Sequence, residues 1–275
     1  MPSIKKELIQ YGVIPRKRWG QHFLIDKNIL NKVIQTAQID QEDVVLEVGP
    51  GMGEMTLSLA RQAKKVIAIE IDPKMVEILK KKVAGNAKVD VIEEDVLTID
   101  FKNYFSGQQP LLKVVANLPY QISTPLLFQF IECRELFSTL TLMLQKEVAE
   151  RMVATPGNKT YGPLSIFIQL FSDPSICFFI KPSAFFPPPK VESAVVHMIL
   201  NQKPKIKLND ERWFKKVVRG CFSYRRKTLM NALKHADLFL PWDIEQRMEK
   251  IGLDPRRRPE TLTLEEFVHL TNLLK

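Results

Sequence analysis

The chain has 275 residues, 45% hydrophobic and 26% charged, with a net charge of +9; that length allows a large core in one or two domains, and the balance is that of a soluble globular protein. Its three cysteines, Cys133, Cys177 and Cys221, stand far apart with no CxxC pair, which argues against a disulfide framework and a cysteine zinc site. The first thirty residues are basic and hold no long apolar run, so neither a signal peptide nor a membrane span is expected, and the default compartment is the cytoplasm.

The charge is uneven along the chain: residues 1–35 carry a net +5, residues 36–200 a net −3 and residues 201–275 a net +7. Basic ends around a slightly acidic middle suit a small-molecule site framed by surfaces for a polyanion, although solvated surface charge gives the same pattern. In the N-terminal arm, Arg16, Lys17 and Arg18 precede Trp19 and Phe23. Cations beside rings can hold phosphates while covering a nucleotide, and the rings serve equally well as anchors of the arm to a core. Residues 28–38 then place Ile29, Val33, Ile34 and Ala37 on one helical face.

Residues 44–53 read Val-Val-Leu-Glu-Val-Gly-Pro-Gly-Met-Gly, a buried strand breaking into a turn with glycines at alternate positions. Met55, Leu59 and Ala63 predict a helix after it, so strand, turn and helix form the opening unit of a nucleotide-binding α/β domain. The third glycine of a dinucleotide fingerprint would fall at Glu54, so that pattern is absent. Glu47 sits badly beside a pyrophosphate and well beside a cation, which points to S-adenosylmethionine with its sulfonium and ammonium groups; a strand with a glycine turn and no ligand is the bland alternative. A second strand over residues 65–72 ends in Glu70, 21 residues after Gly49, where a carboxylate meets ribose hydroxyls. Pro73 opens a helix to about residue 83, and a third strand over residues 88–93 leads to Asp95, placed to take the exocyclic amine of the cofactor's adenine. Each acid taken alone is also an ordinary strand end or helix cap.

A fourth strand over residues 111–116 delivers Asn117-Leu118-Pro119-Tyr120. An adenine amino nitrogen is a poor nucleophile because its lone pair is delocalised into the ring. The Asn117 side-chain oxygen and the Leu118 carbonyl can accept its two hydrogens and so aim the lone pair at a methyl donor. Pro119 stiffens the turn, and Tyr120 offers a face for a flipped base. An isolated Asn-x-Pro also makes plain turns; three strands after a glycine turn it reads as a methylation site.

The tetrad completes a resemblance that covers nearly the whole chain. Gly20-Gln21-His22-Phe23-Leu24, Glu47-Val48-Gly49-Pro50-Gly51, the tetrad with Ile122-Ser123-Thr124-Pro125, Leu144-Gln145-Lys146-Glu147-Val148, Ser183-Ala184-Phe185 with Pro187-Pro188-Pro189-Lys190-Val191, and Arg225-Arg226-Lys227-Thr228 stand in the family's order. The chain resembles the small-subunit ribosomal RNA adenine dimethyltransferase family of the KsgA type. The resemblance implies a Rossmann-like, doubly wound α/β class I S-adenosylmethionine-dependent methyltransferase with a seven-stranded, mostly parallel sheet and a small C-terminal all-α domain. It implies transfer of two methyl groups to each of two adjacent adenosines near the 3′ end of the small-subunit RNA, late in assembly of the 30S particle, by a cytoplasmic and monomeric enzyme. His22, Leu24, Glu47, Gly49, Gly51, Glu70, Ile71, Asp95, Val96 and Asn117 would hold the cofactor, and Phe185 would stack on the target base opposite Tyr120. Phe186 is read instead as a core plug. Two positions depart from the family, which usually has asparagine where His22 and Gln121 stand; the first bears only on the side-chain contact of His22 with the cofactor, since Leu24 and backbone groups of the arm can still make theirs. The rivals are a large-subunit adenine methyltransferase of the macrolide-resistance type and an assembly or transcription factor that keeps the fold without turnover.

Beyond the tetrad, residues 136–144 read as a strand, 145–154 and 161–171 as helices, and 176–180 with 194–200 as a last pair of strands. Residues 185–190 hold three prolines and must form a loop. A boundary near Lys203 divides a catalytic domain, 1–203, from a helical RNA-binding domain, 204–275, with helices expected over 210–222, 225–236, 242–251 and 263–274. Arg225, Arg226 and Lys227 on the second of these, and Arg256, Arg257 and Arg258 in the loop before the last, are the expected phosphate contacts, with Arg16, Lys17 and Arg18 of the arm. None of the four histidines is spaced as a metal pair, so no metal is expected.

Overall fold

Aliphatic, β-branched runs become buried parallel strands in the computed structural model, which describes residues 4–16, 19–236, 238 and 241–275. In chain order the first part comprises α1 (Ile4–Gln10), β1 (Phe23–Leu24), α2 (Lys27–Ala37), β2 (Val44–Val48), α3 (Glu54–Ala60), β3 (Lys65–Glu70), α4 (Pro73–Lys82), β4 (Val89–Glu93), α5 (Phe101–Tyr104), β5 (Leu112–Asn117), α6 (Ser123–Glu132) and β6 (Phe137–Gln145). Then follow α7 (Lys146–Met152), α8 (Pro163–Phe171), β7 (Ser172–Ile180), β8 (Phe185–Phe186), β9 (Ser193–Leu200), α9 (Glu211–Ser223), α10 (Leu229–His235), α11 (Ile244–Lys250) and α12 (Leu264–Leu273). Sequence periodicity did not mark α1 or α6.

Local chemistry sets the ends of these elements. Asp26 caps α2 by accepting from the Asn28 and Ile29 amides, and Gln38 ends it in the left-handed region at φ 49°. Asp72 caps α4 with Pro73 at its first turn, and Lys80, Lys81 and Lys82 stand at the negative end of its dipole. Every residue of β2 is buried, as a strand covered on both faces must be.

The seven strands run in the order β4-β3-β2-β5-β6-β9-β7. β4, β3, β2, β5 and β6 pair parallel, and β9 is antiparallel to β6. From β2 the chain steps outward to β3 and β4, then returns to β5 on the other side of β2. That reversal leaves a crevice at the carboxyl ends of β2 and β5, where ligands of such sheets bind. The arm is tied down by β1, which pairs antiparallel with β8 in the register Phe23↔Phe186 and Leu24↔Phe185.

The chain forms two compact units, one of residues 1–149 with 173–200 and the other of 150–172 with 201–275. The expected break near 203 falls close to the second crossing, but residues 150–172 leave the expected catalytic domain. Their helix α8 buries Leu164, Ile166, Phe167, Ile168, Leu170 and Phe171, on all sides. In the second unit Phe167 meets Phe214 edge-on at 5.7 Å, Tyr161 meets Phe222, and Phe222 stacks on Phe267 at 5.8 Å. A helix apolar all round is the centre of a bundle, so the amphipathic α9 and α12 supply the shell and α8 the core.

The expected helix over 225–236 also starts later. The Thr228 hydroxyl accepts from the Asn231 amide and caps α10, leaving Arg225, Arg226 and Lys227 in the turn before it. Among the described residues no helix is long and apolar enough to cross a membrane, and no group of three or more His, Cys, Asp or Glu is placed to hold a metal.

Candidate active site

The glycines after β2 all take the left-handed conformation that only glycine adopts cheaply: φ is 67° at Gly49, 54° at Gly51 and 81° at Gly53. A Cβ on Gly51 would lie 3.0 Å from the Phe23 ring, and one on Gly53 would lie 2.4 Å from Leu79. The turn is therefore closed down onto the arm on one side and seats α3 against α4 on the other. A cavity of about 300 Å³ opens beside it, at the carboxyl ends of β2, β3 and β5.

Glu47 lies in the wall of this cavity at 0% exposure, and among the described residues neither of its carboxylate oxygens has a hydrogen-bond partner. Burial raises its pKa from 4.5 to about 8; the Thr56 hydroxyl beside it, outside hydrogen-bond geometry, works against the rise, and the negative charge of Glu70 adds to it. An unpartnered buried carboxyl is costly, and a cationic ligand removes the cost. Glu70 is fixed by the backbone: its Oε2 accepts from the Gly51 amide, and its Oε1 from those of Ile71 and Asp72, each at 3.0 Å. Burial pushes the Glu70 carboxyl up, and these amides work against it.

The arm reaches the cavity through polar contacts. Gln21 Nε2 donates to Asp72 at 2.8 Å, and its Oε1 accepts from the Arg16 amide at 2.8 Å, clipping the arm to the start of α4. Asn117 Nδ2 donates to the His22 carbonyl at 3.0 Å. The bond fixes the amide's orientation and leaves Oδ1 as the acceptor. The Leu118 amide donates to the Met143 carbonyl at 3.1 Å, tying the tetrad to β6. Tyr120 bonds the Ser193 hydroxyl at 2.7 Å and stacks on the His22 ring at 5.4 Å. His22 Nδ1 lies 2.7 Å from the Pro187 carbonyl, which only accepts, so the proton sits on Nδ1.

Of the residues singled out in the sequence, His22, Leu24, Glu47, Gly49, Gly51, Glu70, Ile71, Asp95, Val96, Asn117, Leu118, Pro119 and Tyr120 all line this cavity. Phe185 does not. It is 2% exposed in the cluster with Val195, Ala184 and Leu24. Side chains alternate along a strand, so the pairing of β8 with β1 turns Phe185 into that cluster and leaves Phe186 half-buried on the other face, against Phe23. The structure thus corrects the placement of Phe185 opposite Tyr120. Sequence reasoning passed over Gln21 and Ser193. The polar residue inside the Gly20–Leu24 block was a signal for the first, and nothing local marks the second.

The expected phosphate contacts divide. Arg226, Lys227, Arg256 and Arg258 are exposed, with Arg256 paired to Asp254. Arg225 lies 3.5 Å from Glu260, and it donates to the Asn158 carbonyl. Arg257, half-buried, is held within its own unit: both terminal nitrogens bond Glu266, and it also bonds the Thr261 hydroxyl and carbonyl. Its guanidinium is engaged mainly in structure, which sets it apart from its exposed neighbours Arg256 and Arg258. Arg16 covers the Trp19 ring at 4.7 Å, while Lys17 and Arg18 lie outside the described residues.

Comparison with known proteins converges on one family. The family model described as Ribosomal RNA adenine dimethylase matches residues 14–275. A protein of Geobacter metallireducens named Ribosomal RNA small subunit methyltransferase A is 42% identical over 267 residues, covering 96% of each chain. The crystal structure of a dimethyladenosine transferase from Plasmodium falciparum superposes with a TM-score of 0.78 at 32% identity, over 90% of this chain and 96% of that one. That of the 23S rRNA methyltransferase ErmE superposes with a TM-score of 0.68 at 23% identity, over 92% and 99%, and speaks for the fold alone.

Proposed function

The chain belongs to the ribosomal RNA adenine dimethylase family, and on that premise we propose how the residues around its cavity share the work. It is a methyltransferase that dimethylates adenine in small-subunit ribosomal RNA. The proposal extends this to two adjacent adenosines near the 3′ end, modified in an assembling 30S particle by a monomeric, cytoplasmic enzyme. When bound, S-adenosylmethionine supplies an electrophilic methyl group on a sulfonium.

The unpartnered carboxyl of Glu47 and the glycine cradle fit such a cation. Glu47 receives the ammonium. Glu70 has spent three of about four acceptor positions on backbone amides, so it keeps one, on Oε2, for a ribose hydroxyl. Asp95 takes the adenine amine, Ile71 and Val96 give the ring apolar faces, and Leu24 and His22 close the site from the arm.

Asn117 carries the chemistry by orientation. With its amide hydrogen committed to the His22 carbonyl, Oδ1 accepts one hydrogen of the target amine and the Leu118 carbonyl accepts the other. Tyr120 stacks on the flipped base, its ring held by Ser193. No strong base is needed, because the amine becomes acidic only once alkylated and its proton leaves to water.

The bond from Asn117 to His22 carries this reading. Its test is mass mapping of methylated adenosines after wild type and Asn117→Ala act on unmodified small or large subunits with S-adenosylmethionine. Wild type is expected to dimethylate adenosines of the small subunit alone. Asn117→Ala is expected to melt like wild type while its single-turnover rate falls roughly 100- to 1000-fold. Methyl groups on the large subunit, or a folded variant that keeps more than about a tenth of the wild-type rate against the loss expected, would overturn it.

A further inference from the structure

Three places along the sheet from β5, the edge strand β7 ends among cations that the reaction described above leaves unused. Phe179 is 50% exposed, whereas Ile180 is buried in the core and Phe178 packs against it. The Lys146 ammonium lies 5.1 Å from the centre of the Phe179 ring and 2.8 Å from the Glu192 carboxylate. The Lys146 amide also donates to the Glu192 carbonyl at 2.9 Å. The next residue, Ser193, holds the Tyr120 hydroxyl. Lys181 and Lys190 are exposed nearby in the chain. The hydrogen bond from Lys146, with the charge of Lys181 adding, keeps the Glu192 carboxyl below the usual carboxylate range.

A lone exposed phenylalanine needs no explanation. Phe179 is different because a cation already sits at its ring, the charges of two lysines act on one glutamate, and that glutamate is followed directly by the serine that holds Tyr120. Aromatic faces with basic neighbours are how single-stranded nucleic acid is held without regard to sequence, the base stacking and the phosphate pairing.

The geometry points to a second nucleotide subsite in which Phe179 stacks on a base flanking the target adenosine while Lys146, Lys181 and Lys190 hold its phosphates. It rests on the reading that Tyr120 receives the target base. A phosphate entering here replaces the Glu192 carboxylate as the partner of Lys146, so the pair stores the lysine beside the ring until RNA arrives. The subsite would present the single strand in register, with the target nucleotide at Tyr120 and its neighbour at Phe179.

The test compares wild type, Phe179→Ala and Phe179→Trp in binding single-stranded RNA oligonucleotides that contain the target adenosine. The set includes one intact strand and others in which a single flanking base is removed and its sugar-phosphate kept. Phe179→Ala is expected to weaken binding of the intact strand by about 5- to 100-fold, with cofactor affinity and melting temperature unchanged. Phe179→Trp restores it, and the loss vanishes for the strand lacking the base that Phe179 stacks on. Unchanged affinity, or a loss equal on every strand, would overturn the subsite. So would a wild-type dimer that Phe179→Ala converts to monomer, which would assign this face to a second copy. Methylation of small subunits by wild type in parallel separates the two failures: the subsite can fail while the active-site reading stands, but if wild type transfers nothing, both fall.

Discussion

At the scale of single residues, a carboxyl buried without partners stays uncharged until a cation reaches it. Glu47 has that character, with its pKa raised by burial to about 8. Below that pH the empty site carries a proton on Glu47 that the cofactor's ammonium must expel; above it the carboxylate is already charged. Affinity for S-adenosylmethionine is therefore expected to tighten between about pH 6 and about pH 8, by up to about tenfold per unit, and then to level off. Calorimetry in buffers of different ionisation enthalpy reads the released proton. Glu47→Gln should abolish both the release and the slope, while any contribution from Glu70 persists. A flat profile in wild type would mean that Glu47 is already ionised in the empty protein.

Among the elements, α12 shows how a charge in the sequence becomes a structural part. Thr263 and Glu266 form a capping box, with the Thr263 amide donating to Glu266 at 2.8 Å and the Glu266 amide donating to Thr263 at 3.1 Å. Arg257 clasps the same glutamate from the preceding loop and bonds the Thr261 carbonyl, so it fixes the loop to the helix start. Arg257→Ala should lower stability by about 1 to 3 kcal/mol, read as a lower melting temperature, and leave the salt dependence of RNA binding in place. Unaltered melting would return Arg257 to the surface charges. The outcome separates it from its neighbours on either side, which differ from it only in what they touch.

For the whole molecule, the net +9 acts through cations that, among the described residues, pair with no carboxylate. Arg226, Lys227 and Arg258 are exposed on the second unit. Replacing all three by alanine should weaken RNA binding and flatten its dependence on salt by up to about three counterions, with S-adenosylmethionine affinity unchanged. A slope that stays the same would show that the RNA lies elsewhere.

What the sequence determined by itself is whatever rests on neighbours a few positions apart. The all-apolar strands, the glycine turn, the Asp72-Pro73 helix start and the Asn-Leu-Pro-Tyr order all announce themselves locally, and with the resemblance they were enough for the fold and for thirteen of the residues that line the cavity. Tertiary structure alone decided the matters that depend on distant segments meeting. The oxygen of Asn117 is presented because its amide meets His22, 95 residues away. Phe185 is turned into the core by a strand pairing with the arm, and α8 joins the second unit because the apolar faces of α9 and α12 need a centre. Arg257 looked like Arg256 and Arg258 until Glu266 closed on it. Periodicity says which face of an element must be covered, and charge says which side chains seek partners. Neither says which remote segment supplies the cover or the counter-charge, because that choice is made by packing over the whole chain.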